Sequence, residues 1–220
     1  MMKLMRRGGG GRELESQFTG SRAYWLARYE AGRTSGAGSG GVLARYKADV
    51  INRQLACWQV RDAIEFGCGD GRQLSLIDYP VYLGLDPSPP ALSRCRERIG
   101  DRSGYRLALL EDYAGERADL TLSLDVIYHL VEEAAFDAHM QQLFDAAQRH
   151  VIVYSSNHDA AAEPEAPHVR HRMFARWVER ERSQWQLLEH LPNPYPFEGD
   201  VHSGSFSDFY FFGRVSGASA

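Results

Sequence analysis

The sequence predicts an α/β fold: a single doubly wound, mostly parallel sheet with helices on both faces and an antiparallel hairpin at its C-terminal edge. Three observations carry this. From Ala63 onward, short apolar runs alternate with segments of helical periodicity, and several runs are apolar at nearly every position, as strands covered on both faces require. The first run ends in clustered glycines and the second in an acid, Asp86. Two late runs, "WQLLEHLPN" and "SDFYFFGRV", are joined by a polar, proline-rich connection at 192–204 that suits an antiparallel return.

The elements follow in order. "SRAYWLARYEAG" reads as a short helix with a serine cap and a glycine stop. "GVLARYKADVINRQLACWQV" carries Leu43, Tyr46, Val50, Ile51 and Leu55 near helical spacing. "DAIEF" is a short strand and "RQLSLI" a helical turn; "VYLGLD" is the second strand. "SPPALSRCRERIG" opens with proline near its first turn and stops at Gly100, as a helix should. "YRLALLED", "ADLTLSLDVIYHL" and "RHVIVYSSN" are the next three strands. Between the last two, Phe136, Met140, Leu143 and Phe144 share one helical face. "PHVRHRMFARWVERERSQ" reads as a final helix before the hairpin.

At 220 residues, 44% of them hydrophobic and 25% charged, the chain has material for one well-buried core. The expected division is a disordered tail at 1–20, N-terminal helices with a glycine-rich loop at 21–60, and a core at 61–216. The basic start, "MMKLMRRGGGGR", lacks the apolar run of a secretory signal, and no window has the apolar length of a membrane span. A net charge of -4 gives no global pull towards nucleic acid or membrane. Cys57, Cys68 and Cys95 are too irregularly placed for a disulfide framework or a zinc set, which points to reduced thiols in a cytoplasmic protein. The expected partner is a small molecule, with no metal, nucleic acid or membrane involved, and the chain a monomer or homodimer.

The chemistry concentrates at "IEFGCGDGRQL". The first strand delivers Gly67, Cys68 and Gly69 to its carboxyl end, where ligands bind in open α/β sheets. Asp86 stands 19 residues beyond Gly67, at the end of the next strand, placed to hydrogen-bond a ribose diol. The spacing is G-x-G-x-G, so the third glycine, Gly71, comes one residue early for a nicotinamide fingerprint. Glu65 precedes the glycines; a pyrophosphate gains nothing from such a neighbour, whereas a cationic ligand does.

With these features the sequence resembles the class I, Rossmann-like S-adenosylmethionine-dependent methyltransferases, on their bacterial small-molecule branch. "EFGCGDG" is similar to their first motif, "YLGLDPSPPAL" to the second, and "LLEDYAGERADLTLSLDVIYHL" to the adenine-holding stretch that enters the fourth strand. The resemblance covers about residues 62–157 and implies S-adenosylmethionine as cofactor. It implies that Glu65, Gly67, Cys68 and Gly69 line the methionine part, and that Asp86, with Pro87 beside it, binds the ribose. It further implies Asp112 near the adenine amino group with Tyr113 flanking the ring, and Leu124 and Asp125 near the sulfonium. Asp112 alone is as readily a solvated loop acid, since Glu111 adjoins it.

For the acceptor, a hydroxyl must lose a proton, and His129, just past the fourth strand, is the candidate base, with Tyr128 beside it. "YSSNHD" after the fifth strand offers Tyr154, Asn157 and His158 to the cleft, His158 as a second catalytic candidate. His168 and His171, three apart, share a face if helical and with Arg170 and Arg172 would suit a phosphorylated or carboxylated acceptor. "SLDVIYHL" is similar to enzymes of small metabolites, sugars among them. The expected reaction is O-methylation of a small polar acceptor, with N-methylation next; an NAD(P)-dependent oxidoreductase or epimerase and a non-catalytic cofactor-binding scaffold are the alternatives.

A second glycine string, "TSGAGSGG", contains a literal G-x-G-x-x-G at Gly36, Gly38 and Gly41. A helix rather than a strand precedes it, no lysine follows at phosphate-loop spacing, and no acid stands twenty residues on at a strand end. It reads instead as a lid or a linker, with Tyr24, Trp25, Arg45, Tyr46 and Lys47 near enough to close over a ligand.

Overall fold

The computed structural model describes residues 15–16, 18–159 and 166–215. The expected tail lies largely outside them. Seven strands form one sheet in the order β3-β2-β1-β4-β5-β7-β6. They are β1 (Ala63–Phe66), β2 (Tyr82–Asp86), β3 (Tyr105–Leu109), β4 (Ala118–Leu124), β5 (Ala147–Ser155), β6 (Trp185–Leu191) and β7 (Asp208–Arg214). β1 to β5 pair in parallel, while β7 runs antiparallel between β5 and β6. The chain winds outward through β2 and β3, then returns to lay β4 on the other side of β1. The carboxyl ends of β1 and β4 therefore border the point where strand order reverses, which in such sheets leaves a crevice.

The helices are α1 (Ser21–Glu30), α2 (Gly41–Cys57), α3 (Pro89–Ile99), α4 (Glu133–Ala146) and α5 (Phe174–Glu181). Alternation along the strands divides the core. Ile152, Tyr154, Phe209 and Phe211 join Leu55, Leu92 and Cys95 from α2 and α3 on one face. Val151, Val153, Tyr210 and Phe212 join Phe136, Leu143 and Trp177 from α4 and α5 on the other. Helices on both faces explain why β1, β2 and β4 are buried at every position. α3 begins as its sequence predicts, with Pro89 first in the helix and the Ser88 hydroxyl accepting a hydrogen bond from the Ala91 amide.

Two expectations fail. Ser21 is the first helical residue of α1 rather than its cap; Gly20 takes the cap position, and the Ser21 hydroxyl accepts from the Val131 amide instead. The last helix is shorter than its periodicity suggests, so His168 and His171 share no helical face. The Arg170 amide donates to the Tyr128 carbonyl, and the Arg172 guanidinium to the carbonyls of Leu130 and Val131. Those tertiary bonds hold the segment off the helix, and Asn157 Oδ1 accepts from the Ala175 amide in the first turn of α5.

Phe211 is fully buried between β5 and β6. Phe211→Ala is expected to lower the unfolding free energy by about 3–5 kcal/mol, measured by urea denaturation.

Candidate functional site

At the reversal point lies a cavity of about 650 Å³. Its floor is the first glycine string. Gly67 and Gly69 both have left-handed backbones, with φ of 95° and 59°. A Cβ on Gly67 would lie 2.5 Å from Val126 Cγ2, after β4, and one on Gly69 2.5 Å from Ser35 Oγ. Glycine is thus required both by the turn and by what packs over it. The Gly69 amide donates to Asp86 Oδ2 and the Ser88 amide to Asp86 Oδ1, each at 2.9 Å, fixing the carboxylate at the end of β2.

The roof is α1 and the second glycine string. α1 is tied at its start by the Ser21 amide, which donates to Glu132 Oε1 at 2.8 Å, and by an ion pair of Arg22 with Glu111. At its end Arg94 donates to the carbonyls of Tyr29 and Arg33. Ser35 donates to Asp70 Oδ1 at 2.8 Å, which leaves the Tyr29 hydroxyl as donor to Ser35 Oγ at 2.9 Å. The two glycine strings therefore pack against each other.

At one end of the cavity Lys47, 1% exposed, donates from Nζ to Asp125 Oδ2 at 2.5 Å and lies 5.1 Å from the Tyr154 ring centre. Asp125 Oδ1 accepts from the Tyr128 hydroxyl at 3.0 Å and from Ser207 at 3.4 Å. Asp125 has φ of 58°, a conformation few non-glycine residues adopt, and Gly38 lies so close that a Cβ there would sit 2.9 Å from Asp125 Oδ2.

Burial sets the protonation states. It pushes the Glu65 carboxyl up to about 7, against the opposing hydrogen bond from Tyr82 and the charge of Lys47. It raises Asp86 to about 6, against the two amides that favour its ionised form. It lowers His129 to about 3 and His139 to about 4. The His129 ring donates through Nδ1 to the His168 carbonyl at 3.0 Å, so in the neutral ring Nε2 carries the lone pair.

Of the residues singled out in the sequence, Glu65, Gly67, Cys68, Gly69, Asp86, Pro87, Leu124, Asp125 and His129 line the cavity together. The others do not. Asp112 is exposed in the turn after β3, and Tyr113 packs its ring on Phe66 and donates to the Glu116 carbonyl. Tyr128 and Tyr154 act behind the wall, on Asp125 and Lys47. Asn157 serves α5, and His158 is exposed, its Nδ1 donating to the Asp159 carbonyl. His168 stacks on Tyr24, and His171 Nδ1 meets the Ser156 hydroxyl at 2.7 Å. The expected anion surface does not form, because Arg170 and Arg172 are committed to carbonyls and to Glu133. Among the described residues no group of three or more His, Cys, Asp or Glu could hold a metal ion, and no helix is long and apolar enough to cross a membrane.

Sequence reasoning missed Tyr29, Ser35, Ser39, Gln73, Val126, Glu132 and His139 in the lining. Ser35 and Ser39 lay inside the second glycine string and Val126 beside Asp125; nothing local marked the rest.

A mostly parallel sheet with this strand order, and a glycine turn flanked by buried carboxyls where that order reverses, define the class of protein: a doubly wound α/β protein with a ligand crevice at its switch point. Residues 64–151 match the family model of the methyltransferase domain. The matched stretch runs from β1 into β5, so it holds a methyltransferase domain, and together with the fold it indicates an S-adenosylmethionine-dependent enzyme of class I. Solved structures share its fold. N-methyltransferase NodS from Bradyrhizobium japonicum WM9, in complex with S-adenosyl-L-homocysteine, is 14% identical with a TM-score of 0.63, over 88% of this chain and 98% of that one. Magnesium protoporphyrin IX methyltransferase from Synechocystis PCC 6803, with bound S-adenosylmethionine, is 15% identical with a TM-score of 0.61, over 89% and 97%. The methyltransferase domain of bacterial CtHen1-C is 20% identical with a TM-score of 0.61, over 77% and 97%. Curated proteins gave no match.

The lining suits the cofactor. Two buried carboxyls, both raised by burial, stand beside a glycine turn that closely approaching atoms need, and S-adenosylmethionine, when bound, supplies an electrophilic methyl on a sulfonium. Gly69→Ala is expected to weaken S-adenosylhomocysteine binding at least ~10-fold by calorimetry, since the added carbon must displace Ser35. A cation beside Glu65, or a diol donating to Asp86, favours the ionised carboxylate and lowers its pKa, so binding releases protons. S-adenosylmethionine affinity should therefore rise between pH 6 and pH 8, the window around the cofactor-free values of about 6 and about 7. Calorimetry in buffers of different ionisation enthalpy reads the released proton, and an affinity flat with pH contradicts the linkage.

Proposed function

We propose that the chain methylates a small polar metabolite, with a hydroxyl as the first choice of acceptor. In this reading Glu65, Gly67, Cys68 and Gly69 hold the methionine part of the cofactor, Asp86 and Pro87 the ribose side, and Leu124 and Asp125 the neighbourhood of the reacting methyl. The observation that carries it is a cavity of about 650 Å³ roofed by a helix tied at both ends. Such an enclosure accommodates a cofactor and a small acceptor moiety, whereas a polynucleotide needs an open, basic groove. Excluding water there also protects an electrophile from hydrolysis.

His129 is the group to receive the acceptor's proton. Its Nδ1 proton is engaged by His168, which leaves Nε2 to accept, and the ring is neutral at physiological pH. With a pKa near 3 it is a weak base, taking the proton late, as the bond to carbon forms. That weakness favours a second reading, N-methylation, because a neutral amine attacks before it sheds its proton.

The two separate on one variant. His129→Ala is expected to reduce kcat for a hydroxyl acceptor about 10²–10⁴-fold while leaving an amine acceptor within a few-fold. A panel of hydroxyl and amine metabolites, followed by release of S-adenosylhomocysteine, checks it; equal losses on both classes refute the assigned role.

A further inference from the structure

The connection between β6 and β7, residues 192–207, is far longer than a hairpin needs. Because β7 runs antiparallel to β5, with Asp208 opposite Ser155, this excursion sits at the carboxyl ends of the parallel strands. It is built rather than slack. Buried Asn193 donates to the carbonyls of Tyr195 and Ser205 and accepts from the Tyr195 amide. The Ser205 amide donates to the Tyr195 carbonyl, and Gly204 packs so tightly on Pro196 that a Cβ would lie 2.3 Å from its carbonyl oxygen.

Yet this rigid segment leaves aromatic surface in water. Tyr195 is 37% and Phe197 40% exposed. Their rings continue inward, Tyr195 meeting Tyr46 at 6.0 Å and Phe197 meeting Phe206 at 6.3 Å, with Phe206 against Tyr128 at 4.9 Å. The inner end of that series reaches the cavity wall, for Ser207 and the Tyr128 hydroxyl both hydrogen-bond Asp125. Ordered loops that hold aromatic faces out towards solvent beside a site mark binding surface. The charge is one-sided as well. Residues 183–213 contain no lysine or arginine, and the excursion exposes Glu198 and Asp200. The cationic groups near it are few, His202 in the excursion and Arg53 close to Tyr46, while the π faces and acids suit a neutral or cationic ligand.

From this we infer that Tyr195 and Phe197 form a stacking platform that recognises the methyl acceptor as a non-anionic ring, a sugar or aromatic ring free of phosphate and carboxylate. The inference rests on the small-molecule reading above and narrows it, removing the phosphorylated and carboxylated acceptors that the sequence allowed. Stacking on a ring face is the chemistry common to both sources, and the test distinguishes them.

Saturation-transfer NMR on the full chain saturated with S-adenosylhomocysteine reads binding without turnover. The probes are methyl glucoside and glucosamine for sugars, catechol and tyramine for aromatic rings, and glucose 6-phosphate as the anionic control. Ring-proton saturation is expected for one of the two non-anionic pairs and none for the phosphate. Tyr195→Ala and Phe197→Ala should each weaken that binding about five-fold or more, and Tyr195→Phe should retain it. S-adenosylhomocysteine affinity should stay unchanged in all three, which also reports that they fold. Equal ring binding in the alanine variants, preference for glucose 6-phosphate, or no ring binding by a chain that does take S-adenosylhomocysteine overturns the platform. Failure of the wild-type chain to bind S-adenosylhomocysteine overturns the reading beneath it instead.

Discussion

A lysine buried to 1% exposure cannot be left without a counter-charge, and Lys47 finds one in Asp125. Much of the site is arranged around that pair. It ties α2 to the end of β4, and Asp125 keeps its left-handed backbone there with Tyr128 and Ser207 closing on its other oxygen. Three segments distant in sequence thereby meet at one carboxylate, and the second glycine string packs against it through Gly38. With its lone pairs so engaged, Asp125 is better suited to holding the wall in place than to moving protons, which leaves proton transfer to a different group.

That division extends across the cavity. Burial raises the carboxyls of Glu65 to about 7 and of Asp86 to about 6, so near neutral pH Glu65 shares its time between the two forms while Asp86, held by two amides, is mostly ionised. The same burial acts on His129 and His139 in the opposite sense and keeps both rings neutral. The histidines of the cavity are thereby neutral, and its fixed charge rests on carboxylates, Asp86 and Glu132 among them, and on the Lys47–Asp125 pair.

Much of this was legible in the sequence, and what was not has a common cause. Continuous burial made the strands readable, because a sheet covered on both faces demands apolar residues at nearly every position. The glycine turn and Asp86 were readable because they are local: turn, strand end and acid lie within 20 residues. Ser21, the 168–173 segment and Asn157 misled because each is decided by a partner far along the chain, at Val131, at Leu130 or in α5. Sequence periodicity records what one element prefers and is blind to a carbonyl more than forty residues away that outbids the next helical turn. The lining residues that went unread, Tyr29 and Glu132 among them, arrive through the same long-range packing.

The interlocking of the two glycine strings has a consequence for how this chain can vary. Ser35 fills the space that a side chain at position 69 would need, and Asp125 the space that one at position 38 would need. These positions are 34 and 87 residues apart in sequence, yet each defines what its counterpart tolerates. Substitutions in the two strings are therefore not independent events: the effect of one is conditional on the other, and their free energies do not add. What position 69 can accept is thus set by what stands at position 35, so the string that lacks every mark of a nucleotide cradle limits the one that has them.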